Sequence, residues 1–318
     1  MFSDKVHRKY RHDGIRSDWI FVSVASYRDS RCSDTLVDLF AKARNPHRIM
    51  VGVCQQNAPG DPDVMTEELK AVAKNIKVLR IPHHEARGPT WARWLCSHMW
   101  NGETFFLQID AHTKFQKNWD SDTKDMFNLL GTHRAVITHY PPSDTASGDI
   151  RGKTVIIPTA EVNDKRELIA TGKEVPATTY PTKGKFVGAC FLFARYNFLF
   201  EIPFDPYLPY LFQGEEPLLA MRLFTRGWGI YHPTHSVCTH YYVRAEDPKF
   251  WDDHQAQFDR WNPVARHRAE FLMGLRKPEK GVMALVYRNA NVYGAGSVRS
   301  LAEWHAQLGV DWKGHFTD

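Results

Sequence analysis

Apolar residues along the chain fall into short β-favouring runs separated by stretches of helical spacing, beginning with Trp19 to Val24 (Trp-Ile-Phe-Val-Ser-Val). That run leads into the polar turn Ala25-Ser26-Tyr27-Arg28-Asp29. Leu36, Leu39, Phe40 and Ala43 then share one helical face between a Ser33 cap and the stop at Asn45-Pro46. Arg48 to Cys54 predicts a second strand, Thr66 to Asn75 a helix, and Ile76 to Ile81 a third strand. Pro89 suits the first turn of a helix carrying Trp91, Trp94, Leu95, His98 and Met99. Phe105 to Ile109 is interrupted only by Gln108 and has the continuous apolar character of a buried parallel strand. A helix near Trp119 to Leu130 and a strand from Arg134 to Thr138 follow. Strands alternating with helices predict an α/β fold with a mostly parallel, doubly wound central sheet.

From Tyr140 to Lys185 the pattern breaks into Pro, Gly, Ser, Thr and charge, and only Val155-Ile156-Ile157 resembles a strand. So long an irregular stretch inside a domain is expected to face substrate. Phe186 to Ala194 is a buried strand in which Gly188-Ala189 permits either close approach of a ligand or tight sheet packing. Phe212-Gln213-Gly214-Glu215-Glu216 opens a helix, Pro217 to Arg226, ended by Gly227. Short strands at Trp228 to His232 and Ser236 to Tyr242 carry His232, His235, Cys238 and His240. Amphipathic helices near Phe250 to Arg260, Val264 to Leu275 and Ser300 to Leu308 close the chain. The expected organisation is a lead-in over 1–18, a catalytic domain over 19–245 and a C-terminal helical extension over 246–318. No internal repeat is visible.

With 43% hydrophobic and 13% aromatic residues, 318 residues can bury a large core. The net charge of +5 is too small for a nucleic-acid footprint and suits an anionic ligand such as a nucleotide diphosphate. Cys32, Cys54, Cys96, Cys190 and Cys238 are scattered without a C-x-x-C pair, which favours a reducing compartment. The first residues are charged and lack an apolar leader, and no run approaches a membrane span, so a soluble, cytoplasmic protein is expected.

Asp110 and His112 stand where the central strand ends, and alternation on an extended segment points them the same way. A carboxylate and an imidazole so placed form two corners of a divalent metal site at the mouth of an α/β crevice, the alternative being that Asp110 caps a turn and His112 is a surface histidine. Arg87 and Arg93 flank the start of the Pro89 helix, a ready anion site, with solvated surface arginines as the alternative. Adjacent glutamates in a first turn are ordinary complements to the helix dipole unless their surroundings give them another role. The histidine cluster before Tyr242 also permits a structural zinc, although its spacing fits no common finger.

These residues resemble a known family. Val22-Ser23-Val24-Ala25-Ser26-Tyr27-Arg28-Asp29, Val51-Gly52-Val53-Cys54-Gln55-Gln56, Arg87-Gly88-Pro89, Gln108-Ile109-Asp110-Ala111-His112 and Gly214-Glu215-Glu216 are similar, in order, to the cytoplasmic polypeptide N-acetylglucosaminyltransferases that modify hydroxyproline on a ubiquitin-ligase adaptor. The resemblance implies a GT-A fold, a UDP-sugar donor with UDP-GlcNAc expected, and retention of anomeric configuration. The more distant mucin-type polypeptide GalNAc transferases share an Asp-x-His metal pair, a Gly-Gly strand, an acidic motif opening a helix and a later metal histidine. Asp110 and His112 match the first, Gly188-Ala189 the second with alanine for one glycine, and Gly214-Glu215-Glu216 the third with Glu216 in place of an amide. His240 takes the place of the last metal ligand, with His235 as its rival. An Asp/His/His set favours Mn²⁺, with Mg²⁺ as a substitute. Ser26, Tyr27, Arg28 and Gln55 are then expected to read uridine, and Arg87 and Arg93 to offset diphosphate charge. Glu215 and Glu216 are expected to position sugar and acceptor hydroxyls. The expected acceptor is a protein hydroxyl; a glycan, a lipid-linked sugar or a hydroxylated nucleobase is the alternative, and a non-catalytic nucleotide-sugar-binding module the third reading.

Overall fold

The computed structural model describes residues 14–145, 150–165, 167–279, 281 and 283–310. The first 13 residues of the expected lead-in, residues 146–149 of the irregular stretch and the last eight residues of the C-terminal extension lie outside them.

The strands are β1 (Arg16–Tyr27), β2 (Ile49–Asn57), β3 (Ile76–Pro82), β4 (Glu103–Asp110), β5 (Thr113–Phe115), β6 (Ala135–Thr138), β7 (Lys153–Val162), β8 (Leu168–Pro176), β9 (Thr182–Lys183), β10 (Phe191–Arg195), β11 (Gly229–His232) and β12 (Cys238–His240). The principal helices are α1 (Cys32–Lys42), α2 (Pro89–Ser97), α3 (Trp119–Leu129), α4 (Glu215–Thr225), α5 (Gln255–Leu272) and α6 (Leu301–Leu308). The central sheet runs β3-β2-β1-β4-β10-β6-β11-β9. β3, β2, β1 and β4 are mutually parallel, and β10 inserts antiparallel between β4 and β6. The mostly parallel α/β sheet expected from the alternation of elements is present.

Period-two alternation sorts the core into two layers. Val22, Val24, Leu107 and Ile109 join Leu36 and Leu39 of α1 on one face, while Phe21 and Phe106 join Leu219, Leu223 and Trp228 on the other. A third cluster joins Met221 of α4 and Ile157 and Leu168 of the β7–β8 pair to Leu272 of α5 and Trp304 of α6. Both faces of the parallel strands are therefore covered, as their apolar character requires.

Several local expectations need correction. Ser33 does not cap α1: the helix starts at Cys32 with Arg31 in the cap position and no side-chain cap. Glu67–Asn75 is a 3₁₀ segment rather than an α-helix. The stretch after Tyr140 contains an antiparallel pair, β7 with β8. It reads as loop because it is half exposed, so polar residues fill its outer positions and the alternation of apolar side chains is thin. Phe186 to Cys190 precede β10 rather than belonging to it. The two helices expected between Phe250 and Leu275 are a short turn, Phe250–Asp253, and α5, which runs through Pro263.

Candidate active site

The carboxyl ends of β1, β2 and β4 open on a crevice of about 500 Å³, bounded by Tyr27, Gln56 and Asp110 from those strands and by Glu216, His240 and Trp251 from later segments. Asp110 is the last residue of β4 and His240 the last of β12. Antiparallel pairing of β12 with β5 sets His240 opposite Thr113, and Tyr241 N donates to His112 O at 3.1 Å. Short-range pairing thus brings together residues 130 positions apart.

Asp110, His112 and His240 each present a ligand atom, all within 4.8 Å of one another. His240 Nε2 lies 3.1 Å from Asp110 Oδ2, and the two imidazole rings sit 4.6 Å apart. Among the described residues this is the one group of three such side chains able to hold a metal. His235 lies elsewhere, with Thr234 Oγ1 at 3.0 Å and Asp122 at 3.7 Å. His232 contacts Thr138 O and Ile157 N, so the histidines before Tyr242 do not assemble a separate zinc site.

Two buried groups organise the trio. Asp29 is 5% exposed and stands 2.8 Å from His112 Nδ1. Burial alone would raise the Asp29 carboxyl, but His112 and Arg244 pull it below its ordinary range. With Nδ1 engaged, Nε2 of His112 is the nitrogen available to a cation. Arg93, 6% exposed, donates to Asp110 Oδ1 at 3.2 Å and to Glu215 Oε1. Burial opposes the guanidinium charge, but Glu215 and Asp110 hold it firmly protonated. Asp110 is drawn well below the usual carboxylate range, burial being outweighed by His240 and Arg93.

The acidic pair opens α4 after Gly214, whose φ of 104° is a conformation glycine adopts without strain. Glu215 Oε2 accepts from Thr90 Oγ1 at 2.8 Å, so both its oxygens are held by α2. Glu216 accepts from Tyr140 Oη at 2.5 Å and from Ala189 N at 2.7 Å. Burial pushes its carboxyl up to about 7, against the lowering effect of those two donors.

The remaining expected positions divide. Tyr27, Arg93 and Ala189 line the crevice, whereas Ser26, Arg28, Gln55, Arg87 and Gly188 do not. Ser26 and Gln55 are buried on the opposite parity of their strands, with Gln55 accepting from Val64 N at 3.4 Å. Arg28 is held between Asp61 at 2.9 Å and Asp253 at 3.0 Å. Arg87 is exposed and lies over the Trp91 ring at 5.4 Å. At Gly188 an added Cβ would fall 2.5 Å from His139 O, so the glycine serves tight sheet packing.

Asp29, Gln56, Tyr140, Arg244 and Lys249 line the crevice without having been singled out from the sequence. A usable signal existed for one of them: position 56 rather than 55 continues the side of β2 that matches Tyr27 of β1; at Asp29 the alternation is already broken by Arg28, whose φ is 46°.

In fold the protein is a GT-A glycosyltransferase. It superposes on GalNAc-T7 with UDP, GalNAc and Mn²⁺ at a TM-score of 0.57 and 13% identity, covering 91% of this chain and 56% of that one. Residues 1–349 of TarS from S. aureus match at a TM-score of 0.50 and 14% identity, covering 91% and 69%. The chain spans about half the length of the GalNAc-T7 chain, 56%. Residues 19–71 and 63–313 match the family model described as Glycosyltransferase (GlcNAc), and the chain belongs to that family. No curated protein matches it in sequence. No helix among the described residues is long and apolar enough to cross a membrane.

Proposed function

We propose that the protein is a metal-dependent, retaining transferase that moves GlcNAc from UDP-GlcNAc to a hydroxyl on a protein. The observation that carries this reading is the convergence of Asp110, His112 and His240 in the crevice, joined through Arg93 to an acidic pair. The donor set fits a divalent cation: one carboxylate, one imidazole oriented by Asp29, and His240, whose buried Nδ1 has no hydrogen-bond partner among the described residues. Two nitrogens and one oxygen favour Mn²⁺, with Mg²⁺ as the substitute. Bound there, the cation supplies Lewis-acid stabilisation of the leaving diphosphate.

The side chains around that position have separable tasks. Arg93 fixes Asp110 and Glu215 relative to one another, which holds α2, β4 and α4 in register. Tyr27 and Gln56 line the strand-end wall where a uridine would lie, and Arg244 and Lys249 bring positive charge to the same crevice. Glu216 is fixed by Tyr140 and Ala189 at a wall suited to sugar or acceptor hydroxyls. In a front-face reaction the acceptor oxygen attacks from the side the diphosphate leaves, and the departing phosphate oxygen takes the acceptor proton. The glutamates then serve geometry rather than nucleophilic attack. A protein acceptor is supported by the crevice wall, which offers the Leu168 to Ala170 backbone of β8 and the Phe212 and Trp251 rings to a peptide. Five free, buried cysteines support action in a reducing compartment.

The test is to incubate the purified protein with Mn²⁺ and a panel of UDP-sugars, follow UDP release, and seek the modified acceptor by mass spectrometry. Turnover with UDP-GlcNAc and a HexNAc-modified protein hydroxyl is expected. Preference for another donor, or transfer only to a glycan or lipid-linked acceptor, would replace that part of the reading.

A further inference from the structure

Behind the acidic pair lies a second cavity of about 30 Å³ between α4 and β4. One water-sized particle needs roughly 10–15 Å³ on this scale, so two small species fit. Its wall includes Arg222, which is 3% exposed, and whose buried Nε and Nη2 have no hydrogen-bond partner among the described residues. The Tyr293 ring centroid lies 5.9 Å from the Arg222 guanidinium carbon. Arg93 Nε, in the same wall, is also buried without a partner among the described residues. Gln108 donates Nε2 to Ala189 O at 2.5 Å and leaves its buried Oε1 unanswered.

The charge around Arg222 is unbalanced. Burial presses its guanidinium down to about 9; Arg226 and Arg268 add to that pressure, and Asp205 opposes it. Asp205, however, already accepts from Arg268 Nε at 2.8 Å and Tyr207 N at 2.9 Å. Glu215 is paired with Arg93, and burial draws Glu216 toward its neutral form. Arginine keeps its proton in proteins, and an unpaired buried cation is strongly disfavoured. Water would satisfy the donors but leave the charge. A small anion satisfies both.

We propose that this cavity is a monatomic anion site of the halide class, with the anion on the Nε/Nη2 edge of Arg222 and a water bridging it to Gln108 Oε1. That water accounts for the second half of the volume and for the buried Gln108 Oε1, which no described residue answers, while the wall's carboxylates, Asp205, Glu215 and Glu216, already accept from other donors. The cavity shares Arg93, Ala189, Glu215 and Glu216 with the wall of the metal crevice, and its test reads anion binding rather than sugar transfer.

The whole chain, exchanged into sodium gluconate, is titrated with sodium bromide or sodium chloride at constant ionic strength while thermal unfolding is followed. Crystals soaked in bromide are examined for anomalous signal. A saturable rise in melting temperature of about 2 °C or more, with a bromine peak within hydrogen-bond distance of Arg222 Nε or Nη2, is expected. Arg222→Met should lose both. Water alone in the cavity of the bromide-soaked wild type, a melting temperature blind to the exchange of gluconate for halide, or a bromine peak that persists in folded Arg222→Met would overturn the proposal. If Arg222→Met does not fold, the wild-type map and titration decide.

Discussion

His112 faces Asp29 across 2.8 Å, Nδ1 to Oδ2, and the carboxylate is only 1% exposed in its side chain. A carboxylate buried behind an imidazole fixes the tautomer and the ring orientation. Removing such a partner lowers metal affinity about 10- to 100-fold. Asp29→Asn should weaken Mn²⁺ binding by that order, measured by the electron paramagnetic resonance of free Mn²⁺. An unchanged affinity would mean that Asp29 serves Arg244 and the Arg31 backbone N–H rather than the metal position.

Arg93 and Arg87 both flank the start of α2, yet they predict opposite outcomes. Arg93 is buried between Asp110 and Glu215, so Arg93→Met leaves two carboxylates without their cation and should cost about 3–5 kcal/mol of stability. Arg87 is exposed, and Arg87→Ala should stay within about 0.5 kcal/mol of the wild type. Chemical denaturation of both variants checks the contrast.

Glu216 sets a pH dependence whose sign follows from its raised carboxyl. Its ordinary value is 4.5 and burial carries it to about 7 in the folded protein. Between those values the folded chain keeps a proton that the unfolded chain has lost, so this group's contribution to stability falls as pH rises through that window. Glu216→Gln removes the titration. Relative to the Gln variant, the wild type should lose on the order of 2–3 kcal/mol from about pH 4.5 to above pH 7. Unfolding midpoints of the pair across that range give the slope, and parallel profiles would contradict it.

The sheet and two members of the metal-type trio were legible in the sequence because each rests on local regularity. Apolar runs of strand length mark β1, β2 and β4, and Asp110 and His112 announce themselves by parity at a strand end. The third member, His240, needed a family resemblance, since no local pattern separates it from His235; only the pairing of β12 with β5 does so. The β7–β8 pair escaped because half-exposed strands carry too few apolar positions to show their period. Gln55 and Gln56 show how a one-residue step in a strand exchanges the crevice side for the buried side. Asp29 and Arg93 were visible as charges, but their partners lie 83 and 122 residues away in the chain, and burial that decides their role appears only on folding.

The trio of Asp110, His112 and His240 is the centre of the account, and the discriminating measurement is Mn²⁺-dependent UDP release from UDP-GlcNAc by the wild type, His240→Ala and His235→Ala. His235 carries the same imidazole on the same stretch of chain but contacts Thr234 and Asp122 instead. The account predicts that His240→Ala abolishes the metal-dependent turnover while His235→Ala keeps most of it. Full turnover in His240→Ala, or loss confined to His235→Ala, would contradict it.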